Sequence, residues 1–153
     1  MRYYRSLLTL AFCTILIGAQ AQSSGEDSVK TAVNKLFTAM KDADVALLNS
    51  SFADSAILQT IITDKAGKVS VRNEDLRDFA SQIGKLGKGD ADERIQFDVV
   101  KIDGPLAIVW APYSFYYKGR LSHCGVDSFQ LLLVDGVWKI QYIIDTRRKQ
   151  PCQ

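Results

Sequence analysis

The sequence predicts an α+β domain in which helices cover one face of a mostly antiparallel sheet. Three observations carry the prediction. Helix-type periodicity is confined to the first 90 residues, the remainder is rich in Val, Ile, Phe, Tyr and Trp, and the breaks between the later apolar runs are hairpin signals. Asp135-Gly136, set between Leu131-Leu132-Leu133-Val134 and Val137-Trp138, is the clearest of these, because Asp-Gly supplies the positive φ angles that a two-residue hairpin turn demands.

The chain opens on a segment that belongs to export rather than to the domain. Met1-Arg2-Tyr3-Tyr4-Arg5 is followed by an apolar run from Leu7 to Ile17 and by small residues at Ala19 and Ala21, the three parts of a secretory signal peptide. The expected leader is therefore residues 1–21, and the expected domain 22–153. The apolar run is shorter than the roughly 20 residues that span a bilayer, so no membrane anchorage is expected after cleavage and the product is exported, periplasmic or secreted. Cleavage would remove Arg2 and Arg5, turning the formal charge of +2 into zero over the remaining 132 residues. A neutral domain without a basic stripe gives no electrostatic basis for nucleic-acid binding.

Within the domain, Val29, Val33, Leu36, Phe37 and Met40 recur at helical spacing across 28–41, with Asp27 or Ser28 as the expected cap. Val45, Leu47, Leu48 and Phe52 suggest a second short helix. Residues 56–63 and 69–71 read as a hairpin about Asp64-Lys65-Ala66-Gly67-Lys68, and an Asn73 cap starts a third helix carrying Leu76, Phe79, Ile83 and Leu86. Strands are expected at 94–102, 106–117, 121–134 and 137–146. Hydrophobic residues make up 47% of the chain and charged residues 24%, a globular balance with no repeat or low-complexity tract.

Cysteine usage fits an oxidising compartment. Cys13 lies in the leader, leaving Cys124 and Cys152, which are 28 residues apart. The pair can form a disulfide if the fold brings their Cα atoms within about 7 Å, or remain two thiols. With one His and no Cys-x-x-Cys spacing, no metal site is expected, and no motif calls for a cofactor.

A two-residue turn at Asp135-Gly136 places Leu133 opposite Trp138, Leu131 opposite Ile140, Phe129 opposite Tyr142 and Asp127 opposite Ile144. Alternation carries the same inward face back to Gly125 and His123. A similar turn at Lys118-Gly119 sets Trp110 opposite Asp127 and Ser114 opposite His123, unless a bulge intervenes. The expected ligand-contacting set is Trp110, Ser114, His123, Asp127, Phe129 and Tyr142, with His123 and Asp127 as candidate acid/base groups. A carboxylate turned into an apolar interior needs a partner. Either His123 and Asp127 satisfy each other, or they form the polar end of a pocket. Ser122-His123 is not expected to act as a pair, since neighbours on a strand point to opposite faces. The Gly84-Lys85-Leu86-Gly87-Lys88-Gly89 stretch lacks the phosphate-loop pattern.

The order of elements, together with Val109-Trp110-Ala111-Pro112-Tyr113, Ser122-His123-Cys124-Gly125-Val126-Asp127, Gly136-Val137-Trp138-Lys139-Ile140 and Asp145-Thr146-Arg147-Arg148, resembles the nuclear transport factor 2-like superfamily, which includes SnoaL-like cyclases. Within it the strings look most like a branch of exported bacterial proteins named for lumazine binding. The resemblance covers the whole expected domain. It implies a strongly curved, cone-shaped sheet (the cystatin-like α+β barrel) enclosing a pocket, and a homodimer formed through the outer sheet face. It carries no reaction, because the superfamily's enzymes place their acids and bases at different positions and neither an isomerase pair nor a hydrolase Asp-Arg-Asp set can be matched residue by residue. Three functions remain as alternatives: an exported domain binding a small hydrophobic or aromatic molecule, a pocket enzyme of isomerase, dehydratase or hydrolase type using Asp127 and His123, and an accessory protein-interaction domain.

Overall fold

A computed structural model describes residues 17–152; residues 1–16 of the expected leader, Cys13 among them, lie outside the described residues. The predicted α+β architecture is present. α1 (Ile17–Asp42) and α2 (Val45–Asn49) precede β1 (Phe52–Thr63) and β2 (Val69–Glu74); α3 (Leu76–Ile83) leads to β3 (Ala91–Ile95), β4 (Val99–Asp103), β5 (Leu106–Tyr117), β6 (Arg120–Val134) and β7 (Val137–Arg148). The strands form one seven-stranded sheet in the order β2-β1-β7-β6-β5-β3, with β4 also paired to β5. Every pairing is antiparallel except β1 with β7.

Local chemistry explains the element boundaries and the departures from expectation. α1 begins upstream of the expected cap. Ser28 sits inside the helix, where its Oγ donates to the Gly25 carbonyl at 2.7 Å and accepts from Trp138 Nε1 at 3.1 Å. α3 is capped by Asp75 rather than Asn73, its carboxylate accepting from the Arg77 and Asp78 amides. The strand expected over 94–102 is two strands on one edge of β5. Pro112 lies opposite the break: its carbonyl accepts from the Gln96 amide at 2.9 Å, so the side on which it has no N–H faces this edge. An uninterrupted ladder would lack a donor there, and the chain bulges between β3 and β4 instead.

Two further irregularities set which side chains face inward. The Asp135-Gly136 hairpin has the expected register as far as Leu131 opposite Ile140, and then slips one residue, so that Gln130 pairs with Tyr142 and Asp127 with Asp145. Between β5 and β6, Tyr117 pairs with Arg120 as expected, but Phe115 meets His123, which leaves Ser122 as the extra residue. A bulge reverses the facing of everything beyond it.

The narrow end of the concave face is closed by core packing. Val29, Val33, Leu36 and Phe37 of α1 bury against Val109, Phe129, Leu131 and Ile140, with the Phe37 ring edge-on to Phe129 at 6.1 Å. Fully burying such a side chain contributes about 1.5–3 kcal/mol. Cys124 and Cys152 are bridged, with Cα atoms 5.7 Å apart, which ties the segment after β7 back to β6.

Candidate functional site

Towards the wide end, the packing between sheet and helices leaves a cavity of about 380 Å³. α1, α3 and the loop after α3 wall it with apolar side chains such as Phe37, Met40, Phe79 and Leu86, and with Gln82. The sheet supplies the polar groups: Glu74 from β2, Glu93 from β3, Tyr113 from β5, His123 and Asp127 from β6, and Asp145 and Arg147 from β7. Among the described residues, no three His, Cys, Asp or Glu side chains converge as a metal site requires.

The two β6 candidates lie where the sequence placed them, on the inward face. Asp127 is 2% exposed, and its Oδ2 has no hydrogen-bond partner among the described residues. Its neighbour is Glu93 rather than His123. The two carboxyl groups stand close enough to influence each other's titration, and burial favours the protonated form of each. Burial pushes the Glu93 carboxyl up to about 7, with the Asp145 charge adding to the effect. Burial, and then the nearby Glu93 charge, push Asp127 well above the usual carboxylate range.

Asp145 stands directly across from Asp127, where two like charges would repel, and it is held by its own donors. Arg147 Nε donates to Asp145 Oδ2 at 2.7 Å. The Tyr113 hydroxyl lies 3.1 Å from the same oxygen and 3.0 Å from the Thr146 carbonyl, its one proton directed between them. Burial, followed by the surrounding carboxylates, holds that phenol protonated far above its ordinary range. Tyr113 reaches this position because Gly125 has no side chain. A Cβ there would run into the Thr146 carbonyl oxygen and stand 2.8 Å from Tyr113 Cε1.

His123 packs against two aromatic rings, edge-on to Tyr113 at 5.7 Å and tilted on Phe115 at 5.0 Å. Burial and the Arg147 charge lower its pKa, favouring the neutral imidazole. The expectation that Ser122 and His123 cannot meet is overturned: Ser122 Oγ lies 3.1 Å from His123 Nδ1. Ser122 is the bulged residue, and strict alternation does not hold at a bulge.

Four members of the expected ligand-contacting set lie elsewhere. Trp110 pairs with Ser128, not Asp127, and is 47% exposed on the outer face. Ser114 pairs with Cys124 and also faces outward. The Gln130/Leu131 slip turns Tyr142 out of the cavity wall, and its hydroxyl donates to Gln59 Oε1 at 2.6 Å. Phe129 faces inward but is fully buried in the core below the cavity. The same slip that removes Tyr142 brings in Asp145 and Arg147, which sequence reading missed. The Asp145-Thr146-Arg147 spacing signalled them, since residues two apart on a strand share a face. Glu93 had no comparable signal.

No protein-family profile matches the chain, and no curated protein matches it. Solved structures do. An NTF2-like protein of unknown function from Shewanella baltica OS155 superposes with a TM-score of 0.63 at 16% identity, covering 84% of this chain and 97% of that one. A protein from Streptomyces avermitilis, provisionally assigned as a dehydratase of the NTF2-like family, gives 0.61 at 16% identity, covering 83% and 98%. A domain of unknown function with a cystatin-like fold from Nostoc punctiforme PCC 73102 gives 0.63 at 14% identity, covering 84% and 80%. With the curved sheet, the helices on its concave side and the cavity between them, these likenesses establish that the chain has the nuclear transport factor 2-like fold.

Proposed function

We propose that this chain is an exported small-molecule-binding domain whose conical cavity takes an apolar or aromatic ligand and anchors its polar end at Asp127 and Glu93, beside His123. The observation that carries this reading is the Asp127 carboxyl oxygen, buried without a partner in the wall of a cavity of about 380 Å³. An orphaned buried acceptor costs about 1–3 kcal/mol, and a ligand donor or an ordered water recovers that energy. The leader expected over residues 1–21 supports export. The exposed Val99, Ile108 and Trp110 on the outer sheet face support pairing of two copies through that surface. Similarity to the branch named for lumazine binding makes lumazine one concrete ligand to try. Native mass spectrometry of protein recovered from the periplasm tests the reading: a start at Gln22 and a co-purifying small molecule are expected, and a cavity that accepts no small molecule would refute it.

A second reading is favoured by the Glu93-Asp127 pair, namely proton transfer on the bound molecule as in an isomerase or dehydratase. Two neighbouring carboxyl groups that burial keeps protonated offer an acid and, once Glu93 ionises near neutrality, a base side by side. Glu93 then takes the partner role that the sequence suggested for His123. Turnover of a carbonyl or hydroxylated substrate that disappears in a folded Asp127→Asn variant, with binding retained, is the expected result; unchanged turnover in that variant excludes it.

A further inference from the structure

Resting on the ligand-binding reading, we propose that the molecule this pocket takes is an organic cation, an ammonium on an aromatic or aliphatic body, with its charged end against Glu93 and Asp127. Four carboxyl groups line the cavity, Glu74, Glu93, Asp127 and Asp145, against one guanidinium, Arg147. Arg147 is already bound to Asp145, which also accepts from Tyr113. Burial acts against the Arg147 charge but is outweighed by Asp145, so this pair is self-contained. His123 favours its neutral form, and neither α1 nor α3 brings a charged side chain into the wall. Glu93 and Asp127 therefore stand together in the wall with no cation among the described residues paired to them, and the proton that burial keeps there stands where a positive charge would.

The remaining walls suit the same ligand. Phe37, Phe52, Phe79, Tyr113, Phe115 and Tyr117 line the cavity, and aromatic faces attract a desolvated cation while packing its apolar body. An ammonium reaching the orphaned Asp127 Oδ2 would donate to it directly, and a charge-assisted hydrogen bond of this kind is roughly twice as strong as a neutral one. A neutral hydroxyl would satisfy the oxygen but leave the missing charge unsupplied. A carboxylate ligand would add repulsion.

A cation competes with the proton that burial keeps on Glu93, which gives the inference a thermodynamic signature. With Glu93 titrating at about 7, linkage makes the apparent affinity for a permanently charged amine rise by about ninety-fold from pH 5 to pH 8, most of it below pH 7. The charged and titratable groups that line the cavity around the pair are Glu74, Tyr113, His123, Asp145 and Arg147.

The experiment is an NMR titration of the purified protein with phenethylamine, phenethyl alcohol, phenylacetate and lumazine at pH 5 and pH 8. Phenethylamine is expected to bind at least tenfold tighter than the alcohol at pH 8, to lose that advantage at pH 5, and to lose it at both pH values in Glu93→Gln and Asp127→Asn. Two variants are used so that a folding defect in one leaves the other to decide. Equal or tighter binding of the alcohol, phenylacetate or lumazine overturns the cation assignment while the pocket reading stands. No binding by any of the four overturns both.

Discussion

The inward-facing Glu93-Asp127 pair makes stability depend on pH with a sign opposite to that of most acidic groups. Glu93 ordinarily titrates at 4.5 and is pushed up to about 7 in the folded chain. Between those values the unfolded chain has released the proton and the folded chain still holds it. The folded state then binds more protons, and the free energy of unfolding falls as pH rises. One proton across this window, at 1.36 kcal/mol per pH unit, is worth about 3 kcal/mol, out of a typical total of about 5–15 kcal/mol for a domain. The stability is fully present below 4.5, declines through the window, and is lost once pH passes the folded value of about 7. The perturbation that isolates this is Glu93→Gln, which keeps the shape and a hydrogen-bond donor towards Asp127 but cannot ionise. Urea unfolding at pH 5, 6, 7 and 8 should show the parent losing stability across the series, with about 3 kcal/mol of the loss due to Glu93. The variant should match it at pH 5 and exceed it at pH 8 by up to that amount. A parent whose midpoint is flat from pH 5 to 8, or a variant no more stable than the parent at pH 8, would refute the reasoning that Glu93 holds its proton in the folded chain.

The remaining predictions concern the elements that hold the site. Gly125→Ala should cost about 3 kcal/mol or more, because the added Cβ meets the Thr146 carbonyl and the Tyr113 ring; thermal melting measures the loss, and an unchanged Tm would mean that the strands do not approach this closely. Cys152→Ser should cost about 3–4 kcal/mol, the chain-entropy value for a 28-residue separation; a reductant should shift the parent's melting temperature and leave the variant's unchanged, and equal shifts would count against the bridge. His123 is the only histidine in the chain, so its ring proton resonance can be followed alone. It should titrate with a midpoint below 6.5, because burial and Arg147 disfavour the charged form, and a midpoint above 6.5 would place it outside the cavity wall. Ile108→Asp, which puts a charge on the exposed outer face beside Trp110 and Val99, should reduce the sedimenting mass to that of one chain. An unchanged mass would exclude this surface as the contact of the proposed pairing of two copies.

The layering of the fold was legible because it rests on periodicity. Val29, Val33, Leu36, Phe37 and Met40 could share a face only as a helix, and all five are buried as that face requires. Asp135-Gly136 fixed the start of its hairpin correctly, and the pairs from Val134-Val137 to Leu131-Ile140 are those its turn dictates. What sequence could not fix was where pairing slips, because a bulge is decided by tertiary competition. The slip after Leu131 in the β6-β7 ladder lies close to where β7 meets β1, whose own pairing is irregular between Phe52 and Ile57. Gln141, the extra residue, donates from Nε2 to the Ser55 carbonyl at 2.9 Å. That contact joins residues 86 apart in the chain, and no local pattern announces it. The cost of the omission was specific: His123 and Asp127, on the stretch of β6 between the Ser122 bulge and the Asp135-Gly136 turn, face inward as expected, whereas Trp110, Ser114 and Tyr142, each placed across a slip, do not.

The same slips make the cavity acidic and thereby constrain its occupant. Without the slip in β7, Tyr142 and Ile144 would face inward and the cavity would be apolar at this end. With it, Asp145 is set opposite Asp127 and Arg147 comes two residues later, so a wall that would have been hydrophobic gains two charged groups beside Asp127. Arg147 neutralises Asp145 and leaves the Glu93-Asp127 pair to hold a proton. That proton is retained at the expense of stability as pH rises, because the unfolded chain releases it first. A cation entering the pocket would remove this penalty along with the proton, so ligand-induced stabilisation should be larger at pH 8 than at pH 5 by an amount approaching the parent's own loss over that range. Melting temperatures with and without phenethylamine at the two pH values measure the difference directly. An equal shift at both would show that the ligand leaves the Glu93 proton in place, and that the acidic end of the pocket is satisfied by something other than a positive charge.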